Sequence, residues 1–99
     1  MELASRDIVH FGSHGFTHTR AARGETFQVG IVELDGLIGG HDAASRQLLA
    51  VLSGRVVCST RDEEIELGSG EAVTWQEGEW HETRSREKSH LLMVEGAFE

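Results

Sequence analysis

The sequence has no proline and only one cysteine. A single cysteine excludes an intramolecular disulfide, and Cys58 lies in a β-rich run, 55–60, where cysteine behaves as a small hydrophobic side chain. We therefore expect Cys58 to be buried. A reactive thiol is the alternative, but no convincing base lies near it in sequence. Without proline, the 12 glycines provide the turn signals, which favours short strands between glycine turns.

Basic residues and long apolar runs are scarce as well. Lysine and arginine total 9 against 17 acidic residues, which gives a net charge of -8 spread along the chain. Nucleic-acid and anionic-membrane surfaces need clustered basic side chains, so neither partner is expected. No stretch approaches the roughly 20 apolar residues of a membrane helix, and charges interrupt residues 1–9, where a signal peptide would be apolar. We expect a soluble, cytoplasmic protein.

The residues that are present predict one all-β domain spanning 1–99. Short β-prone runs alternate with glycine and polar turn signals, a pattern typical of an antiparallel sandwich or barrel. We predict strands at 6–11, 16–20, 26–34, 46–52, 54–60, 63–67, 71–76, 80–84 and 89–95.

One segment, 42–52, also has a helical interpretation. Its alanines and leucines are good helix formers, and Asp42 is a suitable N-terminal cap. However, residues 48–52 are apolar on every side and lead through Ser53-Gly54 into a β-branched pair. We therefore favour a buried strand.

The stretch 70–81 combines β-type alternation with glycines and a terminal histidine. Gly70, Gly78 and His81 lie at the spacing of the second motif of the cupin family, with Gln76 at the position of that motif's proline. In this stretch the chain resembles the small single-domain cupins.

An altered form of the first cupin motif lies at 41–54. His41 and Gly54 keep its frame, whereas Ala43 and Gln47 stand at the positions of its second histidine and its glutamate. Together the two motifs extend the resemblance over roughly residues 26–95.

The resemblance implies a single-domain antiparallel jelly-roll β-barrel, the double-stranded β-helix of the cupins. The core motifs, 41–54 and 70–81, would then meet at one cavity. Cupins often form homodimers through their N-terminal strands, which here would come from residues 6–34.

Cupin cavities hold a divalent metal such as Zn, Fe, Mn, Ni or Cu. The resemblance transfers His41 and His81 as imidazole ligands and Gln47 as a weaker oxygen ligand, and it implies no organic cofactor. Side-chain alternation is compatible with this, because positions 41, 43 and 47 share parity in an extended chain. Two imidazoles and a neutral amide lack the carboxylate of the usual Fe(II) site, so we expect weak or optional metal binding.

The missing carboxylate has three candidates near the motifs. Asp42 has the opposite parity and would need a bulge to reach the cavity, whereas Glu79 or Glu82 would need an irregular loop.

Each site residue also has a purely structural interpretation. His41 would be a loop histidine at the barrel mouth, His81 a satisfied interior histidine, and Gln47 a core amide bonded to the backbone. Trp75 and Trp80 lie within the second motif, and we expect an indole ring in the pocket wall. We assign Trp75 to the ligand-binding group with His41, Gln47 and His81.

Three functions follow from this interpretation. The first is a small barrel that binds a small polar ligand in its interior, with a weak or optional divalent metal. The alternative is a metal-dependent cupin enzyme of the dioxygenase or isomerase type. A third, the sensory half of a regulator, is weakened because no DNA-binding segment is visible.

His14 and His18, outside the motifs, are interpreted as a surface pair.

Overall fold

In the computed structural model, residues 1, 6–7 and 12–98 are described, 6–7 by their backbone alone. Residues 8–11 of the first predicted strand lie outside this part. The described strands are β1 (Arg6–Asp7), β2 (His14–Arg23), β3 (Phe27–Asp42), β4 (Gln47–Ser53), β5 (Arg55–Ser59), β6 (Glu64–Gly68), β7 (Ala72–Trp75), β8 (Trp80–Ser85) and β9 (Ser89–Gly96). Within these ranges no helix is long and apolar enough to cross a membrane.

The strands form a nearly closed antiparallel barrel of the predicted jelly-roll type, in which β3 belongs to two sheets. The first half of β3 pairs with β9, with Val32 opposite Leu91, and with β2 on its other side. The second half pairs with β8, with His41 opposite His81. All nine strands are thus hydrogen-bonded in one continuous sheet, which β3 divides into a larger sheet of order β1-β2-β3-β9-β4-β7 and a smaller sheet of order β6-β5-β8-β3.

β3 corrects the predicted strand 26–34, because it continues to Asp42. The continuation contains Gly36, Gly39 and Gly40, and glycine is a poor strand former when only local propensity is considered. Pairing with β8 overrides that propensity, and a β-bulge between Ile38 and His41 absorbs the irregularity. His41 is consequently a strand residue, not the loop histidine of the alternative interpretation.

The helical alternative for 42–52 is wrong, since Gln47–Ser53 is a strand paired with both β7 and β9. Its residues alternate, with Gln47, Leu49 and Val51 buried and the intervening side chains more exposed. Burial on one face, combined with two pairing partners, outweighs the helix propensity of alanine and leucine.

The interior of the barrel is apolar over most of its length. Cys58 is buried there, as predicted, with 3% of its surface exposed, and its sulfur accepts a weak hydrogen bond from Thr83 Oγ1 at 3.8 Å. The apolar cluster comprises Val32, Leu34, Ile38, Leu49, Val51, Val56, Cys58, Leu67, Trp75, Leu91 and Met93.

Candidate functional site

The two sequence motifs are joined at the backbone. Ala43 N donates to Glu79 O at 3.0 Å, and Gly78 N donates to Ala43 O at 2.7 Å. Gly78 adopts a φ of 84°, a left-handed conformation that suits glycine and lets the chain turn back into β8. These contacts bring the end of β3 beside the start of β8.

His41 and His81 lie opposite each other on β3 and β8, with ring centroids 4.5 Å apart and planes tilted by 58°. His41 Nδ1 is 2.8 Å from Gly39 O, and His81 Nδ1 is 3.1 Å from Glu79 O. A carbonyl oxygen only accepts, so we assign a proton to Nδ1 of both rings.

Burial fixes the charge state of His81, whose side chain is only 2% exposed. Loss of hydration lowers its pKa below the ordinary value of 6.5, and the nearby His41 lowers it further. The carbonyl of Glu79 and the carboxylates of Glu79 and Glu95 act in the opposite direction without reversing the shift. At neutral pH the ring is therefore uncharged, with its Nε2 lone pair available as an acceptor.

Trp75 and Gln47 complete the group predicted from the sequence. The indole of Trp75 stacks on His81 with centroids 4.2 Å apart and planes 21° from parallel. Gln47 is the cross-strand partner of Trp75 and is 5% exposed. Its Oε1 is buried and has no hydrogen-bond partner among the described residues, so it differs from a core amide whose oxygen is bonded to the backbone.

Glu95 is a site residue that the sequence reasoning missed. It is the cross-strand partner of both Gln47 and Gln28, and Gln28 Nε2 donates to Glu95 Oε2 at 3.0 Å. Side-chain alternation was the signal in the sequence that could have found it. Leu91, Met93 and Glu95 share parity on β9, and the structure buries the first two. Glu95 is the half-buried last member of this interior row.

With this geometry established, the comparisons decide the family. The cupin domain family matches residues 37–95, more than half of the chain. The chain belongs to the cupin family.

Solved structures agree with this cupin fold. A cupin superfamily protein from Desulfitobacterium hafniense has a TM-score of 0.77 at 15% identity, covering 84% of this chain and 78% of its own. A cupin-2 domain containing protein from Shewanella frigidimarina has a TM-score of 0.71 at 21% identity, with coverages of 92% and 85%. The polyketide cyclase RemF from Streptomyces resistomycificus has a TM-score of 0.81 at 21% identity, and the match covers 94% of this chain and 73% of RemF. At these identities the likeness shows the fold alone, and a search of curated proteins gave no match.

None of the three carboxylates considered from the sequence enters this cupin's site. Asp42 is exposed opposite the half-buried Trp80, and Glu82 lies on β8 with parity opposite to the buried His81. Glu79 uses its side chain in the turn, where Oε1 accepts from Gln76 N at 3.1 Å.

The donor set is a poor match for the divalent metal that cupin cavities hold. Across 12–98 and the other described positions, no three His, Cys, Asp or Glu side chains are grouped to hold a metal ion. His41, His81 and the unpartnered Gln47 Oε1 offer two imidazoles and one neutral oxygen. Without a carboxylate among them, the charge of the ion is less well neutralised, so these residues fit weak binding at most.

Among the described residues, two clefts open at the end of the cupin barrel where Gln28, Glu95 and Gln76 lie. One, of about 390 Å³, is lined by Gln28, Glu95, Arg20 and Arg23 among others. The second, of about 540 Å³, shares Ser45 with the first and is also lined by Arg46 and Gln76. Neither cleft is lined by His41 or His81. Glu95 lines the first cleft and is also the cross-strand partner of Gln47, so it lies between that cleft and Gln47.

His14 and His18 do not form the simple surface pair expected from the sequence. His14 is exposed, whereas His18 is half-buried and its ring covers the buried Gly30. A Cβ at position 30 would overlap the His18 ring, so the glycine makes room for this histidine.

Proposed function

We propose that this cupin binds a small polar molecule at the polar end of its barrel. His41, Gln47 and His81 would contact the ligand, and Trp75 would form the apolar wall against which it packs. The observation that carries the proposal is Gln47 Oε1, a buried acceptor to which nothing in the described part of the chain donates. An unsatisfied buried polar group costs about 1–3 kcal/mol, which a ligand N–H or O–H would offset.

A divalent metal is the secondary occupant of the same residues. His41, Gln47 and His81 would hold it weakly, because no carboxylate joins them. The alternative of a metal-dependent dioxygenase or isomerase stays a prediction, as does the cytoplasmic location. The similar fold of the polyketide cyclase RemF, at 21% identity, shows that one protein of this architecture is an enzyme.

Gln47→Met tests the ligand proposal through opposite effects on stability and binding. Methionine keeps the unbranched side chain but removes the unsatisfied oxygen, so we expect the ligand-free protein to gain about 1 kcal/mol. Binding of polar compounds, screened by their effect on the thermal unfolding temperature, should weaken in the same variant. A loss of stability in Gln47→Met, or unchanged binding, would contradict the proposal.

Whether a metal binds is tested on protein purified without a His-tag. We expect added Zn²⁺ to bind weakly to the unaltered protein, to be lost in His81→Ala, and to be retained in His90→Ala. His90 is a suitable control because it is exposed and pairs with Ser53 at 3.1 Å, away from the site. Tight, stoichiometric metal that persists in His81→Ala would overturn this assignment.

We also propose a homodimer, formed through the outer face of the larger sheet. That face carries two adjacent apolar rungs across β3, β9 and β4, Ile31–Leu92–Ala50 and Val29–Val94–Leu48. The outer face of the smaller sheet is instead covered by ion pairs, Glu66 with Arg55 at 3.3 Å and with Arg86 at 2.8 Å. Apolar surface favours association, whereas the charged face is suited to water.

Two matched isoleucines test this interface. Ile31 is 47% exposed on the apolar face, and Ile65 is 50% exposed on β6 of the smaller sheet, opposite Cys58 and therefore on the face turned away from the ion pairs of Glu66. We expect Ile31→Lys to raise the dimer dissociation constant at least about tenfold, because a two-fold interface presents each substitution twice. Ile65→Lys should leave the dimer intact in light-scattering measurements of molecular mass. Equal behaviour of the two variants would place the interface elsewhere.

A further inference from the structure

The polar end of the barrel is rich in acceptors. Gln47 Oε1 is buried and no described residue donates to it, and His81 directs its Nδ1 at the Glu79 carbonyl, with Nε2 as its other ring nitrogen. Glu95 adds a carboxylate from the strand beside Gln47, and the charge of this carboxylate also acts on His81. A group that satisfies these atoms must donate several hydrogen bonds.

We propose that the ligand enters this site through a primary ammonium group, held by the carboxylate of Glu95 and by Gln47 Oε1. This inference rests on the proposed ligand-binding function and adds the chemical class of the ligand, an alkyl amine. An ammonium group supplies three donors and a positive charge, and hydrogen bonds between a cation and a carboxylate are about twice as strong as neutral ones.

The strand register places Glu95 and Gln47 together. Directly opposite residues of an antiparallel pair have Cβ atoms about 4.5–5.5 Å apart and project from the same face. Gln28 orients the carboxylate by donating to Oε2 at 3.0 Å, whereas no described side chain donates to Oε1. One oxygen is thus fixed in position, and the other faces no competing donor from the described residues.

The neutral donors nearest this point are already engaged. The Nδ1 atoms of His41 and His81 are directed at backbone carbonyls, and the side-chain amide of Gln28 is directed at Glu95. Arg20 and Arg23 line the cleft that Glu95 also lines, and Arg46, whose buried Nε has no partner among the described residues, lines the second cleft. Because arginine side chains bind carboxylates, a carboxylate-bearing compound is tested beside the amine.

The experiment uses three probes of equal length: n-butylamine, 1-butanol and butyrate. Binding is followed by NMR through the ring signals of His41 and His81, with thermal unfolding as a check on folding. We expect the amine to bind at least about tenfold more tightly than the alcohol, and butyrate more weakly than either. Glu95→Gln should weaken the amine about tenfold and leave the alcohol unchanged, and Glu95→Asp should have an intermediate effect.

Glu87→Gln is the matched control, because it makes the same change in net charge at an exposed position. It should leave amine affinity unchanged. Butyrate or butanol binding as tightly as the amine, or unchanged amine affinity in Glu95→Gln, would overturn the ammonium assignment but not the ligand site. Zn²⁺ that binds through Glu95 while the amine does not would also overturn it. If none of the probes shifts the histidine signals, both proposals fail.

Discussion

Trp75→Ala is expected to lower the free energy of unfolding by about 3–5 kcal/mol, the range for removing a buried large aromatic side chain. Trp75 is 2% exposed, belongs to the apolar cluster and stacks on His81. Its removal would leave a cavity between the core and the polar end. Domains of about 100 residues lose roughly 4–8 °C in Tm per kcal/mol, so the melting temperature should fall steeply.

Trp80→Ala is the control for this prediction. Trp80 is half-buried, its ring lies over Gly40, and the Arg61 guanidinium is 5.1 Å from the ring centroid. Because it lies outside the apolar cluster, we expect its replacement to cost less than about 2 kcal/mol. Urea unfolding followed by circular dichroism measures both variants, and Trp75→Phe should recover part of the loss. If the two alanine variants are equally stable, Trp75 is not the support assigned to it.

The fold was predictable because the decisive signals are local. Glycines at the turn positions 54, 70 and 78 all adopt positive φ in the structure, and the motif spacing alone identified them. The extension of β3 to Asp42 was not predictable in this way. It depends on pairing with β8, a partner about 40 positions later in the chain, and on a bulge that no local propensity encodes.

The candidate site was predicted for the residues that the motifs contain. The structure brings His41, Gln47, Trp75 and His81 together, although their functional roles stay predictions. Glu95 lies 14 positions beyond the second motif, and its place beside Gln47 is set by the register of β9 against β4. From the sequence alone, a glutamate at the end of an apolar strand is expected to be solvent-exposed. Only the register of the strand pair shows that it lies beside Gln47.

The interior of the barrel thus changes from apolar to polar along its strands. On β4 the buried series runs from Val51 through Leu49 to Gln47, and on β9 the same face runs from the buried Leu91 and Met93 to the half-buried Glu95. The apolar part stabilises the fold, whereas the buried Gln47 Oε1 destabilises it unless a donor is supplied. The glutamine at position 47 therefore lowers the stability of the ligand-free protein while it favours ligand binding. Gln47→Met measures both effects.

Alkaline unfolding should report the burial of Cys58. Burial raises the pKa of its thiol from 9.0 to about 11, and the hydrogen bond from Thr83 only partly offsets this. Between these values the unfolded chain releases the thiol proton and the folded chain retains it, so stability falls as pH rises. The full stability is present below about pH 8, and the loss is about 2 kcal/mol at about pH 11 and levels off near about 3 kcal/mol above it.

The composition lets this loss be isolated, because the chain has no tyrosine and Lys88 is its one lysine. The ion pair with Glu33 raises the pKa of Lys88, so its small contribution is also lost as pH rises through that value. In a Lys88→Arg background that ion pair persists, and urea unfolding between about pH 8 and about pH 11 should still show the decline. Adding Cys58→Ala should flatten the decline, whatever its effect on stability at lower pH. A decline that survives both substitutions would show that the buried thiol is not its cause.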